Sequence, residues 1–393
     1  MIKTLFILSS SGAFGGASKS FMTMMKGLMQ KDVVPIVVLP EARGLYAELK
    51  QLGIKTYILP LKRNCYPKFS TFQQKIYFGP VLLSRVVNNY KVVRKLKQII
   101  HLEQIDIVHT NSSIIDVGLR AAKALRKPHV CHIREYGDKD FQLYYMPSRS
   151  CYRRAISGKK CYTISITKDI CRYHGFSAQP NARVIYNGIA PQGAVMPSEE
   201  KEKFFLYAGR IEPAKGVEQL VEAYVEYARN MKVHFPLLLA GEETNPTYSA
   251  TLRKSISESG IMAEAITFLG VRKDIDQLMR RAQAIIVPSR FEAFGRCMPE
   301  AMFNGCLAIG RNTGGTREQF DNGLELQGQE IGLRYETTAE LTQCLIDVTK
   351  NGLSYYDEMI RRGFDTVNKL YSNEANINNV YNLYLDILKD VGA

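Results

Sequence analysis

No stretch of the sequence approaches the ~18 consecutive apolar residues of a membrane-spanning helix, so no such helix is expected and the chain should be soluble. Glycine and proline number only 29 and 15 and follow no period, which rules out collagen-like and low-complexity architectures. The eight cysteines, at positions 65, 131, 151, 161, 171, 297, 306 and 344, include no CxxC and no Cys/His pair at metal-binding spacing. Cys131 and Cys161 fall in strand-like runs, where a free thiol packs as a small hydrophobe, and this usage fits a reducing cytosol rather than a zinc site. Two nucleotide fingerprints are also missing. A P-loop ending in Lys19-Ser20 needs glycine at positions held by Ala13 and Ser18, and Gly12, Gly15 and Gly16 do not form GxGxxG. Nucleoside triphosphatase and nicotinamide dehydrogenase readings therefore lose their main support.

What is present is an ordinary globular composition, 46 % hydrophobic and 23 % charged, over 393 residues, enough for two or three domains of roughly 100–200 residues each. The N-terminal apolar run, Leu5 to Leu8, is shorter than the ~7–15-residue core of a secretory signal and reads instead as a strand entering a Gly-rich turn. Charge is unevenly spread. Residues 1–190 hold 30 Lys/Arg against 10 Asp/Glu, an excess of +20, while the remainder is net −6, giving +14 for the whole. Between Glu48 and Glu103 there is no acidic residue, while cations accumulate from Lys62 to Lys97. A surplus of this size on one half calls for an anionic partner.

Short β-rich runs alternate with helical ones throughout. Strands are expected at Thr4–Leu8, Val33–Leu39, Lys55–Leu59, Asp106–Thr110, Pro128–Ile133, Cys161–Ile166 and Arg183–Tyr186, with a helix whose buried face carries Phe21, Met24, Met25, Leu28 and Met29. After the Pro-, Gly- and charge-rich join Ala190–Lys203 the alternation restarts. Strands are expected at Lys203–Ala208, Pro236–Ala240, Ala265–Leu269, Ala284–Val287 and Cys306–Ile309, and helices near 216–229, 246–259, 274–282, 299–304 and 338–350. Continuous apolar runs such as FPLLLA and AIIVP suit parallel strands covered on both faces. The expected architecture is α/β, two doubly wound Rossmann-like lobes facing across a cleft, 1–190 and 191–372, with a C-terminal segment 373–393 whose helix, near 374–389, packs back on the first lobe.

Three places could carry chemistry. The first Gly-rich turn follows strand one and opens a helix, so Gly15 and Gly16 could bring backbone N–H groups to an anion or a sugar, or simply make a tight turn. In the second lobe, Gly209-Arg210 ends a strand and Lys215-Gly216 opens a helix. Two fixed cations at a strand end and a helix N-terminus make a diphosphate site, although exposed cations on a βα loop are common. Finally, Glu292 and Glu300 stand eight apart, one in a strand-end loop and one in the first turn of the next helix, with Pro299 suited to the first helical position and Gly295 to a close ligand approach.

This last segment resembles the E-x7-E signature of glycosyltransferase family 4, a large retaining family with the GT-B fold. The resemblance runs over nearly the whole chain. Gly15-Gly16-Ala17-Ser18 resembles the family's first-lobe glycine loop, and Asp106-Ile107-Val108-His109-Thr110-Asn111 its "DIVH-x-H" strand end, with Asn111 for the second His. His132 falls where the family often has a His near the reacting sugar, with Arg134-Glu135 for the commoner His-Asp. Val184 to Ile189 resembles "VIxNGID", with Ala190 where Asp is usual, and Gly314-Gly315-Thr316-Arg317-Glu318 matches with Thr-Arg for the usual small-Pro pair.

The resemblance implies that Arg210 and Lys215 hold the donor diphosphate, that Glu300 binds ribose hydroxyls, and that Glu292 binds the donor sugar. It further implies that the backbone of Phe294, Gly295, Arg296 and Cys297 supports sugar or phosphates, that the base lies against Gly270-Val271-Arg272, and that His132 meets the sugar or its developing positive charge. For His109 a core histidine is as good a reading.

The implied activity is that of a retaining hexosyltransferase, independent of metal and of other cofactors. It would move a sugar from a nucleotide diphosphate donor, UDP preferred to GDP, to a glycan or lipid-diphosphate-linked acceptor in cell-surface polysaccharide synthesis. A catalytically silent, sugar-nucleotide-binding partner subunit is the alternative; a two-lobed periplasmic binding protein needs a signal peptide. Tyr57, Tyr66, Phe69, Phe72, Tyr77, Phe78 and Tyr90 interleave with the cations of 49–102. With no RNA-binding motif, this favours a cytoplasmic protein peripheral on the cytoplasmic face of anionic membranes over one that binds nucleic acid. The plainer possibility for the same segment is a buried aromatic helix pair.

Overall fold

The computed structural model describes residues 1–13 and 15–392, leaving Phe14 of the glycine turn and Ala393 of the closing segment outside the described residues. It divides into two compact units, Met1–Gly188 with Asn373–Ala393, and Ile189–Ser372.

The first unit runs β1 (Ile2–Ile7), α1 (Gly16–Met29), β2 (Val33–Leu39), α2 (Leu45–Gln51), β3 (Thr56–Ile58), β4 (Cys65–Pro67), α3 (Phe72–Leu102), β5 (Ile107–Thr110), α4 (Val117–Ala124), β6 (His129–Ile133), α5 (Asp138–Phe141), β7 (Leu143–Tyr145), α6 (Arg149–Ile156), β8 (Cys161–Ser165), α7 (Lys168–His174) and β9 (Ala182–Val184). Seven strands form a parallel sheet in the order β3-β2-β1-β5-β6-β8-β9, and β4 and β7 make a separate antiparallel pair. The sheet is covered on both faces because β1 alternates its apolar side chains. Phe6 and Leu8 join one core with Phe21, Met25 and Leu28 of α1, whereas Leu5 and Ile7 join another with Leu96 of α3 and Val117 of α4. The strand order reverses between β1 and β5, so the loops leaving those strands splay apart and open a crevice at the carboxyl end of the sheet.

The second unit runs β10 (Phe205–Ala208), α8 (Val217–Asn230), β11 (Leu237–Ala240), α9 (Pro246–Glu258), β12 (Ile266–Gly270), α10 (Ile275–Arg281), β13 (Ala284–Val287), α11 (Cys297–Phe303), β14 (Leu307–Arg311), α12 (Gly314–Gln327), β15 (Leu333–Tyr335), α13 (Thr338–Asn351) and α14 (Asp357–Leu370). Its parallel sheet has the order β12-β11-β10-β13-β14-β15, with the reversal between β10 and β13. Helix α11 starts at Cys297, so Pro299 occupies its third position rather than the first. The ring still falls among the first-turn residues whose N–H groups have no helical partner, so it costs no hydrogen bond.

The chain closes with α15 (Asn373–Gly392), which belongs to the first unit and lies on α1. Val380, Leu383, Tyr384 and Ile387 are buried there. The approach is so close that a Cβ at Gly27 would collide with the Ile377 side chain. Residues 72–102 form one continuous helix, not a buried aromatic pair, and Phe72, Ile76, Tyr77, Leu83 and Tyr90 are exposed along it. No helix among the described residues is long and apolar enough to cross a membrane.

Candidate functional site

In the second unit the two loops at the strand-order reversal carry most of the residues singled out by sequence. After β10 the chain runs through Gly209 and Arg210 into a 3-10 turn, Pro213–Lys215, and then into α8; after β13 it runs through Ser289 and Glu292 into α11. The strand ends are laced together, Gly209 N donating to Ala240 O at 2.9 Å and Gly241 N to Gly270 O at 2.8 Å. Arg290 N donates to Ala214 O at 3.2 Å, joining the two site loops directly.

On this scaffold Lys215 Nζ lies 2.6 Å from Glu292 Oε1, both side chains being mostly buried at 21 % and 17 % exposure. Ser289 Oγ donates to the same oxygen at 2.6 Å. Gly295 takes φ +76, which turns the loop back toward Glu292. Gly315 N donates to Glu292 O at 2.8 Å, and Gln319 Nε2 donates to Phe294 O at 2.5 Å, so α12 fixes the loop from below. One turn into α11, Glu300 accepts from Arg296 Nε and Nη2 at 3.1 and 3.0 Å. Cys297 Sγ donates to Ala208 O at 3.2 Å, and burial pushes its thiol well above the ordinary range, which keeps it neutral. Arg210 is half exposed and meets Glu212 at 3.0 Å. With its cation half in solvent such a pair is held weakly, so the guanidinium can leave for a better partner.

Not every expected residue joins this cluster. Val271 is exposed, and Arg272 closes a local ring with Asp274 through Nε at 2.8 Å and Nη2 at 2.6 Å, beyond the edge strand β12.

The first unit holds a second polar group at the carboxyl ends of β5 and β6. Tyr384 OH lies 2.6 Å from His109 Nδ1, and His109 Nε2 lies 3.2 Å from His132 Nδ1. A guanidinium can only donate, and Arg134 Nη2 also reaches His132 Nδ1, at 3.5 Å; Nδ1 is thus assigned as the acceptor and the proton to Nε2. His132 Nε2 is buried and has no hydrogen-bond partner. Burial first, then the Arg134 charge, hold both histidines well below the usual imidazole range, so they are neutral.

Two departures from the resembled pattern are partners of each other: Arg134 Nε donates to Asn111 Oδ1 at 2.9 Å, and its Nη1 donates to Asn187 Oδ1 at 2.7 Å. Glu135 accepts from Ser112 Oγ, Ser113 N and Ser113 Oγ at 2.8, 2.6 and 2.7 Å. Gly15 and Gly16, at the head of α1, lie in the neighbouring loop after β1. There Ser11 O accepts from Leu45 N at 2.9 Å and Ser18 Oγ donates to Gly12 O at 2.5 Å.

Asn187, within the Val184–Ile189 match, enters as a partner of Arg134, whereas Ser289, Gln319 and Tyr384 join these groups without a role assigned from sequence. Ser289, at the strand end three residues before Glu292, was within reach of a motif argument. Tyr384 is 275 residues from its partner and had no local signal.

Comparison with known proteins agrees with this layout. A model described as "Glycosyltransferase Family 4" matches residues 14–192, and one described as "Glycosyl transferases group 1" matches residues 192–360. An uncharacterized glycosyltransferase of Methanocaldococcus jannaschii is 26 % identical over 304 residues, covering 74 % of this chain and 81 % of that protein. The lipopolysaccharide core biosynthesis mannosyltransferase LpsB of Rhizobium meliloti is 26 % identical over 129 residues, 32 % of this chain and 36 % of that one. Among solved structures, HepE of Anabaena in complex with UDP and glucose superposes with a TM-score of 0.74 at 19 % identity, over 98 % of this chain and 100 % of HepE.

Proposed function

This chain belongs to glycosyltransferase family 4 and has the GT-B fold of two Rossmann-like lobes, and we propose that it transfers a sugar, with retention of anomeric configuration, from a nucleotide diphosphate donor to a glycan or lipid-linked acceptor. The observation that carries the reading is the Lys215–Glu292 pair at the strand-order reversal of the second unit, with Arg210 on the same loop as Lys215. Ligands of open parallel sheets bind at that point. A cation and a carboxylate held against each other there offer one group to a diphosphate and the other to sugar hydroxyls.

The chemistry is charge management. As the glycosidic bond breaks, the diphosphate gains negative charge and the sugar becomes oxocarbenium-like. Arg210 and Lys215 meet the first demand as preorganised cations, typically the largest single contribution to such a step, and they fill the place a metal would otherwise take. When the diphosphate engages Lys215, Glu292 loses its cation while Ser289 still holds it, and it turns to the sugar hydroxyls; Glu300 accepts from the ribose. The leaving phosphate receives the acceptor's proton on the face from which it departs, so no carboxylate is needed as nucleophile. Neutral His132, with a proton on Nε2, donates to a sugar oxygen rather than opposing the developing positive charge. UDP is the preferred donor nucleotide, in keeping with the UDP seen in HepE. A role in cell-surface polysaccharide synthesis is in keeping with the lipopolysaccharide relative. The basic, aromatic face of α3 is proposed to hold the protein on the cytoplasmic side of an anionic membrane.

The presence of Arg210, Lys215, Glu292 and Glu300 together favours activity over a catalytically silent subunit. The test is incubation with a panel of UDP- and GDP-sugars and a lipid-linked sugar, following nucleotide release and product anomer by NMR. Release of UDP with a retained anomer is expected. An inverted product, or no turnover with any donor, overturns the reading.

A further inference from the structure

The N-terminal part of α3 covers a cavity that the reaction as proposed leaves without a role. From Phe72 to Asn88 no side chain of α3 is buried, although the helix continues without a break to Leu102. Phe78, Leu82, Arg85 and Asn89 recur at helical spacing and turn to one side, yet the first three are only half-buried. Beneath them lies a pocket of about 710 Å³ lined by α3, by the β4 and β7 region and by the loop preceding α4. Its walls are apolar, with Phe69, Phe78, Leu82, Val86, Met146 and Pro147; the polar groups at its lining are Asn64, Lys75 and Asp116, besides the ring-bearing Tyr66. The walls are braced from both sides. Arg85 Nη1 donates to Cys65 O at 2.9 Å, Asn64 Nδ2 donates to Met146 O at 3.2 Å, and Phe69 packs on Phe78 at 5.3 Å between ring centroids.

We propose that this pocket binds the hydrocarbon chain of an isoprenyl-diphosphate-linked acceptor, with Lys75 toward its phosphate and Asp116 toward its hydroxylated head. The inference rests on the transferase reading and names the acceptor class for it. The volume falls within the roughly 300–1,000 Å³ of small-molecule sites, and so few polar groups could not satisfy the backbone of a peptide. An aliphatic chain needs no such partners. Position favours an acceptor over bulk lipid. Asp116 stands at the N-cap of α4, in the loop that leaves the carboxyl end of β5, where ligands of a parallel sheet gather. Its side chain does not cap the helix, and its Oδ1 is buried without a hydrogen-bond partner, an acceptor open to a hydroxyl. Among the described residues Asp116 is the only acidic side chain at the lining, and the whole segment 49–102 that supplies most of the walls has none.

The test uses the full chain saturated with UDP, so that the donor site is occupied, and titrates farnesyl diphosphate, inorganic diphosphate and a monomeric short-chain phosphatidylglycerol separately. Saturable binding of farnesyl diphosphate is expected, at least about ten-fold tighter than inorganic diphosphate. Leu82→Trp, which fills the pocket, should weaken it by about ten-fold or more, and Lys75→Ala by several-fold, with UDP affinity unchanged in both. Val86→Trp, on the same wall of the pocket, is a second filling variant. Undiminished binding in both filled variants, or no saturable binding to protein that still takes UDP, overturns the pocket assignment and leaves the donor site standing. Failure to take UDP at all would instead strike the transferase reading. Equal binding of a monomeric short-chain phosphatidylglycerol would assign the pocket to bulk lipid and overturn the acceptor.

Discussion

Lys215 and Glu292, 77 residues apart in the chain, meet at 2.6 Å because their loops leave adjacent strands on either side of the point where the sheet order reverses. The topology, more than any local motif, creates the site. Neither side chain is exposed enough for the pair to be a solvated surface contact, and neither is buried enough to be sealed from a ligand.

The two glutamates should separate kinetically. Glu300→Ala is expected to weaken binding of free UDP by about ten-fold, since ribose contacts are the same before and during reaction. Glu292→Gln should lower turnover by more than about ten-fold while leaving free-nucleotide affinity nearly intact, as expected for a group that addresses the sugar. Isothermal titration with UDP alongside steady-state rates decides; identical losses of UDP affinity in both variants would remove the division of labour.

Acid should unfold the first unit before the second. His109, His129, His132 and His174 are all buried there; burial holds each below its usual value, His129 at about 3 and His174 at about 4. The unfolded chain takes up these protons near 6.5 and the folded one does not. Their contribution to stability is therefore complete above that pH and falls as pH drops toward the folded values, by about 1.4 kcal/mol per unit for each histidine. Hydrogen exchange between about pH 7.5 and 5, corrected for intrinsic rates, should show protection lost first in the sheet of β1, β5, β6 and β8. Earlier loss in the second unit would contradict this.

Tyr384 should matter beyond its packing. Tyr384→Phe keeps the ring and removes the hydroxyl that fixes the His109 tautomer, leaving a buried imidazole nitrogen unpaired at a cost of about 1–3 kcal/mol. Turnover should fall several-fold with UDP affinity unchanged. If thermal stability and turnover both match the native chain, the relay from Tyr384 to His132 has no function.

The exposed aromatic face of α3 should bind vesicles. Co-sedimentation with anionic vesicles is expected at low salt, declining as salt rises, because each Lys or Arg near the surface contributes about 1 kcal/mol. Tyr77→Ser/Leu83→Ser should reduce it at least several-fold. Binding that ignores lipid charge, or none at low salt, would remove the membrane proposal.

Much of this was legible in the sequence, and the parts that were not share a cause. Runs such as Leu237–Ala240 and Ala284–Val287 announce buried parallel strands because both of their faces are covered, and the glutamates and cations stand in short loops fixed by such strands. Helix α3 was not legible as one element. Its apolar residues occur on the outward side as well as the inward one, which obscures the 3.6-residue period. The three-residue strands β4 and β7 are too short to carry an alternation, and each finds its partner far along the chain, Cys65 opposite Tyr145, Tyr66 opposite Tyr144 and Pro67 opposite Leu143. The link from His109 to Tyr384 spans 275 residues, and no local pattern announces a contact of that range.

The most direct measurement is isothermal titration of UDP into the native chain and into the Arg210→Ala/Lys215→Ala double variant, with circular dichroism confirming that both are folded. Charge-assisted hydrogen bonds are worth about 1.5–3 kcal/mol each, so the double variant should bind UDP at least ten-fold more weakly and transfer no sugar. Unchanged UDP affinity in the folded double variant would contradict the assignment of these two cations to the donor diphosphate.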